Sequence, residues 1–205
     1  MKNYMDIYDD IVNNKYVVYS YDKDLDRSNW ISLWSNKLDY YEYQQLHIKN
    51  YNYILESFNY YLGLAENAIS YIRYNFYDSY MPLVISHKRI KEKNYYNPTN
   101  LILDYRARDI SQYLKYIFFN NKYLDFNFNK FFKELNLSRN DYILIYGRLL
   151  FPCFYFDLYD EIIINKLDQK KIVSIVNRTI EYENYLNLIH SEISKFVEIP
   201  KIDWL

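Results

Sequence analysis

Only two of the 205 residues are glycine, Gly63 and Gly147. A backbone approaches a phosphate closely only where no Cβ intervenes, so Walker loops, dinucleotide-binding turns and kinase glycine-rich loops each need several clustered glycines. The chain holds none of these phosphate cradles within itself. Half the residues are hydrophobic and a quarter are charged, enough to bury a sizeable core in one domain. The abundance of Tyr, 28 residues, together with Asn, Ile and Lys, follows A/T-rich codons and so reflects the genome in part. A net charge of −1 gives no general attraction to nucleic acid or to an anionic membrane.

The single cysteine, Cys153, has no internal disulfide partner and sits in the apolar run Leu149 to Phe156, which reads as a buried core thiol in a cytosolic protein. The acidic N-terminus lacks the order of a secretory signal. The longest apolar stretch, Ile143 to Phe156, is interrupted by Arg148 and is too short to span a bilayer, so no membrane insertion is expected.

Residues 1–29 read as a polar, acidic N-terminal extension around one β-like run, Lys15 to Tyr21, and residues 30–205 as one helical domain. Ser28 or Asn29 can cap a helix from Trp30 to about His47, with Trp30, Leu33, Trp34, Leu38 and Tyr41 on its apolar face. A second helix spans about Tyr53 to Phe76, where Gly63 offers room for another backbone. Met81 to Ile85 and Leu101 to Leu103, joined by a basic loop and an Asn/Pro tract, read as a small hairpin. Helical periodicity then returns around Ile110 to Ile117 and Phe128 to Leu135. It continues in a long helix from Ser138 or Asn140 to about Asn165, bent at Pro152, and in a last helix from Asp168 to about Phe196. The tail Ile199 to Leu205 offers apolar anchors, and Trp204 is expected to pack into a groove near the Pro152 helix. The fold class is mainly α with a small β-hairpin.

Few side-chain sets stand out chemically. Asp22, Asp24 and Asp26 alternate like the start of a calcium loop, but Arg27 replaces its glycine and Leu33 its final glutamate. His47, His87 and His190 share no zinc spacing, and Cys153 with His190 would be an unusual nucleophile and base. The basic cluster His87, Lys88, Arg89, Lys91 and Lys93 can meet a phosphate or stand as a solvated loop.

The segments "VISHKRI", "NPTNLILDYRARDISQYLK" and "YGRLLFPCFYFDLYDEII" resemble the C-terminal lobe of the aminoglycoside phosphotransferase and choline kinase-like superfamily, in its branch of divergent kinase-like proteins associated with bacterial spore coats. "NWISLWSNKLDYYE" and "YYLGLAENAISYI" resemble the helices before that lobe's catalytic loop. The resemblance implies a His-Gly-Asp pattern with a metal-binding Asn five positions after the Asp. Aligned on His87, Lys88 falls at the glycine, Arg89 at the catalytic aspartate and Asn94 at the asparagine, for which Asn97 and Asn100 are alternatives. Asp104 falls at the metal-binding aspartate after the second strand, and Asp109 at a structural aspartate. An arginine cannot deprotonate a substrate hydroxyl, and its charge opposes Mg²⁺.

With only about thirty residues before Trp30, these residues are expected to leave no room for the kinase N-lobe. The expectation is therefore a C-lobe-like domain lacking phosphotransfer, with no cofactor and a protein partner, acting as an interaction or spore-associated structural module. The alternatives are a phosphotransferase that takes its N-lobe from another chain and uses ATP and Mg²⁺ at Asn94 and Asp104, or a small-molecule binding protein using a pocket between hairpin and helices, where His87, Lys88 and Arg89 would contact phosphate or ligand.

Overall fold

A computed structural model describes residues 4–14, 17–19, 23–77, 81–91, 93 and 95–205. Nine α-helices and one two-stranded sheet are formed among these residues. Before the sheet come α1 (Tyr4–Asn13), α2 (Trp30–Gln45) and α3 (Asn52–Asn75). The sheet is the antiparallel hairpin of β1 (Leu83–His87) and β2 (Leu101–Tyr105). After it follow α4 (Ala107–Phe119), α5 (Phe128–Leu135), α6 (Arg139–Leu150), α7 (Cys153–Ile164), α8 (Val173–Val176) and α9 (Thr179–Ser194). The architecture is mainly α with a small hairpin, as the periodicity predicts. No described helix is long and apolar enough to cross a membrane.

Local signals explain most of these boundaries. Asn29 accepts a hydrogen bond from Ser32 N and starts α2. A reciprocal capping box between Ser138 and Asp141 starts α6. The single long helix expected across Pro152 is instead two. Phe151, preceding the proline, is forced to an extended ψ of 115°, so α6 stops at Leu150 and α7 starts afresh at Cys153. The last expected helix is also divided, because the chain turns at Asn177 and Arg178. There the Arg178 guanidinium donates to the carbonyls of Phe118 and Phe119 and closes the C-terminus of α4.

Helices α3, α4, α6 and α9 enclose the core. Among its large rings, two tyrosines donate their hydroxyls to helix carbonyls, Tyr182 to Leu149 O and Tyr185 to Leu114 O. The close helix crossing falls at Gly147 rather than Gly63. A Cβ at Gly147 would lie 2.4 Å from Ile72 Cγ1, whereas one at Gly63 would meet nothing within 4 Å.

The N-terminal segment departs from the expected extension, since α1 forms and buries Ile7 and Ile11 in the same core as the later helices. Of the β-like run, Lys15, Tyr16, Ser20 and Tyr21 lie outside the described residues, while Val17 bridges to Val84 of β1. On the hairpin's other side, Asp26 bridges to Leu103 and Arg27 N donates to Leu103 O. That pairing carries Arg27 toward the start of α2. In the C-terminal tail, Ile199 is buried and Pro200 O accepts from Tyr71 OH, but Trp204 is 45% exposed. The tail is therefore anchored by Ile199, with Ile202 and Leu205 half-buried, and the groove expected for Trp204 is not used.

Candidate functional site

The hairpin and the first turns of α4 fix the predicted residues, but send them to different places. Asp109, in the first turn of α4, accepts from His87 N at 2.8 Å and lies 2.7 Å from His87 Nδ1. The His87 ring stacks on Tyr95 with centroids 4.1 Å apart. Both partners are buried, so the histidine ties strand to helix. Lys88 is exposed and is held through its backbone, its N–H donating to Asn100 O and its carbonyl accepting from Arg89 and Arg108. Arg89 turns inward and grips Asp157 of α7 through two nitrogens. Burial works against its charge, but the bond to Asp157 holds the guanidinium above its ordinary value. Asn100 braces the Arg89 backbone from both sides, accepting from its N–H and donating to its carbonyl. Asn97 caps the turn before β2. Asn94 lies outside the described residues.

Asp104 on β2 is fully buried. Its Oδ1 accepts from Trp30 Nε1 at 2.8 Å and Tyr105 N at 2.7 Å, and its Oδ2 from Arg108 Nη1 at 2.5 Å. Burial pushes the carboxyl up, against the pull of Arg108, Arg148 and Trp30.

Arg89, with Trp30 and Arg108 that hold Asp104, borders a cavity of about 140 Å³ that six cations line: Arg27, Lys37, Arg89, Arg108, Lys115 and Arg148. Trp30, Trp34 and Phe151 form its aromatic wall, and Cys153 opens onto it. Three of the cations have a carboxylate partner, Arg108 with Asp104, Arg89 with Asp157 and Lys37 with Asp160. The other three have none among the described residues. Arg27 donates to the carbonyls of Asp24 and Asp26. Lys115 Nζ donates to Arg148 O and Phe151 O, both at 2.7 Å, and lies 3.4 Å from Cys153 Sγ. Arg148 stacks over Trp30 and Trp34, with its guanidinium carbon 4.5 and 5.6 Å from their ring centroids, and its Nη1 has no hydrogen-bond partner.

A charge taken out of water without a counterion is destabilised, which shifts the balance of these groups toward their neutral forms. Burial pushes Lys115 down to about 8. Burial, aided by neighbouring Arg108, pushes Arg148 down to about 9. At Cys153 burial opposes the thiolate, but Lys115, Arg89 and Arg148 outweigh it and hold the thiol below its ordinary value.

The family described as "Spore coat putative kinase YutH" matches residues 13–189, a span that contains every residue of this cavity. The chain belongs to this family. It is 27% identical over 208 aligned positions to the endospore coat-associated protein YutH of Bacillus subtilis (strain 168), in a match that covers 86% of this chain and 61% of the relative. No solved structure matches the chain significantly.

Of the two ligands that the resemblance assigns to Mg²⁺, Asn94 lies outside the described residues and Asp104 does not fit a divalent cation. Both oxygens of Asp104 already accept N–H donors, and its nearest charged neighbours are Arg108 and Arg148. No group of three or more His, Cys, Asp or Glu among the described residues is placed to hold a metal. Cys153 is half-buried at a cationic cavity rather than an inert core thiol, and His190 faces Ile199 O instead. Lys115 and Arg148 escape a reading by motif because each is a lone cation in an apolar helical run. The signal they do leave is the interruption of Ile143 to Phe156 by Arg148, which excludes a membrane span and equally marks a buried charge.

Proposed function

We propose that the chain is a kinase-derived module that does not transfer phosphate and that works in the spore coat through a protein partner. The reading rests most heavily on one observation. Arg89, which the resemblance sets at the catalytic aspartate, is held by Asp157, while Asp104 is sealed by Trp30 and Arg108. A general base and a metal ligand are both needed for phosphoryl transfer from ATP, and this arrangement offers cations in their place. The coat location comes from the relative in Bacillus subtilis, which is described as endospore coat-associated. The chain spans 61% of that relative's length, so the proposal concerns what residues 1–205 do. Calorimetric titration of the chain with Mg·ATP tests it, and affinity no tighter than millimolar is expected. Micromolar affinity that Asp104→Asn abolishes would establish the phosphotransferase alternative instead.

A further inference from the structure

The cavity that adjoins the expected metal position is built for the opposite charge. Its six cations come from the segment before α2, from α2, from the loop after β1, from α4 and from α6, so positive charge surrounds the space instead of lining one wall. Three carboxylates are already committed to three of these cations, which leaves an excess of three positive charges, on Arg27, Lys115 and Arg148. Arg148 and Lys115 are each only 6% exposed. The Arg148 guanidinium lies over the Trp30 and Trp34 rings, which line the cavity with it, and its Nη1 is buried without a hydrogen-bond partner. Buried cations without a counterion carry a desolvation cost that an anion in the cavity would reduce.

The geometry points to a metal-free binding site for a phosphoryl dianion, either inorganic phosphate or a small phosphomonoester, held by Arg148, Lys115, Arg108 and Arg27. A multiply charged anion matches the charge excess, and donors arriving from several directions suit a tetrahedral group better than a planar carboxylate. The volume of about 140 Å³ equals roughly five waters, enough for a phosphate with a small substituent and below the roughly 300 Å³ at which pockets for larger organic ligands begin. This goes beyond the coat-module reading and does not need it, since a site that binds phosphate without metal is compatible with any partner.

The test uses the full chain in EDTA with inorganic phosphate, at ionic strength held constant with sodium chloride. Quenching or shift of tryptophan fluorescence in a Trp204→Phe background reports on Trp30 and Trp34, which line the cavity. Saturable phosphate binding with Kd below a millimolar is expected, weakened at least tenfold by Arg148→Met and by Lys115→Met. Bound phosphate should also slow alkylation of Cys153 by iodoacetamide several-fold in the unsubstituted chain, a readout that needs no folded variant. Glycerol phosphate in place of inorganic phosphate tells the two sources apart, the tighter binder being the occupant. No saturation with either, an equal response to chloride alone, or binding unchanged in both variants would overturn the assignment.

Discussion

Lys115→Met separates the electrostatics of the cavity from its packing. In the folded chain Lys115 is almost fully buried and its amine titrates at about 8, against 10.5 for a free lysine, with burial the main cause. A difference of that size makes the protonated form cost about 3 kcal/mol in the folded state relative to the unfolded one. The folded value is the lower one, so the folded chain loses its proton first. The cost is fully present below pH 8 and is relieved as pH rises from about 8 toward 10, where the unfolded lysine still holds its proton. Stability of the unsubstituted chain should therefore climb by up to about 1.4 kcal/mol per pH unit across that window. Methionine removes the charge, but it also strips the carbonyls of Arg148 and Phe151 of their donor, which costs roughly 1–3 kcal/mol. The two effects nearly offset each other at neutral pH, and their difference appears only as slope. Urea unfolding at pH 7, 8, 9 and 10 in phosphate-free buffer measures it, with m checked for constancy. Because the Cys153 thiol is also lowered and contributes with the same sign, the series is repeated with Cys153→Ser. Stability curves that run parallel for the unsubstituted chain and Lys115→Met in both backgrounds would refute the assignment of a strained, charged lysine.

Cys153 should alkylate with a midpoint below the ordinary thiol value of 9.0, and Lys115→Met should move that midpoint upward, as followed by iodoacetamide labelling against pH. Gly147→Ala should destabilise by about 1–3 kcal/mol, because its Cβ would overlap Ile72, whereas Gly63→Ala should gain about 0.5–1 kcal/mol in an open helical position; denaturant midpoints distinguish the two. Asp109→Ala should cost about 3 kcal/mol by leaving His87 N and Nδ1 without their acceptor, lowering the melting temperature by roughly 6–12 °C in a chain this long.

How far the sequence reveals the molecule follows from the range of the forces involved. The helices around Trp30, Ile54, Ile110 and Phe131 and the hairpin between Leu83 and Tyr105 are written in local periodicity and turn residues, which single-chain reading detects. Helix α1 is not, since its few apolar residues, Ile7 and Ile11 among them, gain meaning only against α4 and α5. Pro152 marks a discontinuity in the sequence, but whether a proline bends or ends a helix depends on how Phe151 is packed, here against Trp34. At the candidate site, His87, Arg89, Asp104 and Asp109 stand out through a motif-like order. The structure brings Arg89 to the cavity and Asp104 beneath it through Arg108, and keeps His87 and Asp109 together and away from it. Lys115, Arg148, Lys37 and Arg27 lie far apart along the chain, and only the packing of α2, α4 and α6, with the pairing of Arg27 to Leu103, gathers their charges.

Calorimetric titration of the chain with inorganic phosphate, first in EDTA and then in excess Mg²⁺, tests the inversion of charge at this site most directly. A cationic cage requires saturable binding in EDTA, with Mg²⁺ weakening it by competing for the phosphate. Binding that appears only when Mg²⁺ is present would contradict the account and restore Asp104 as a metal ligand.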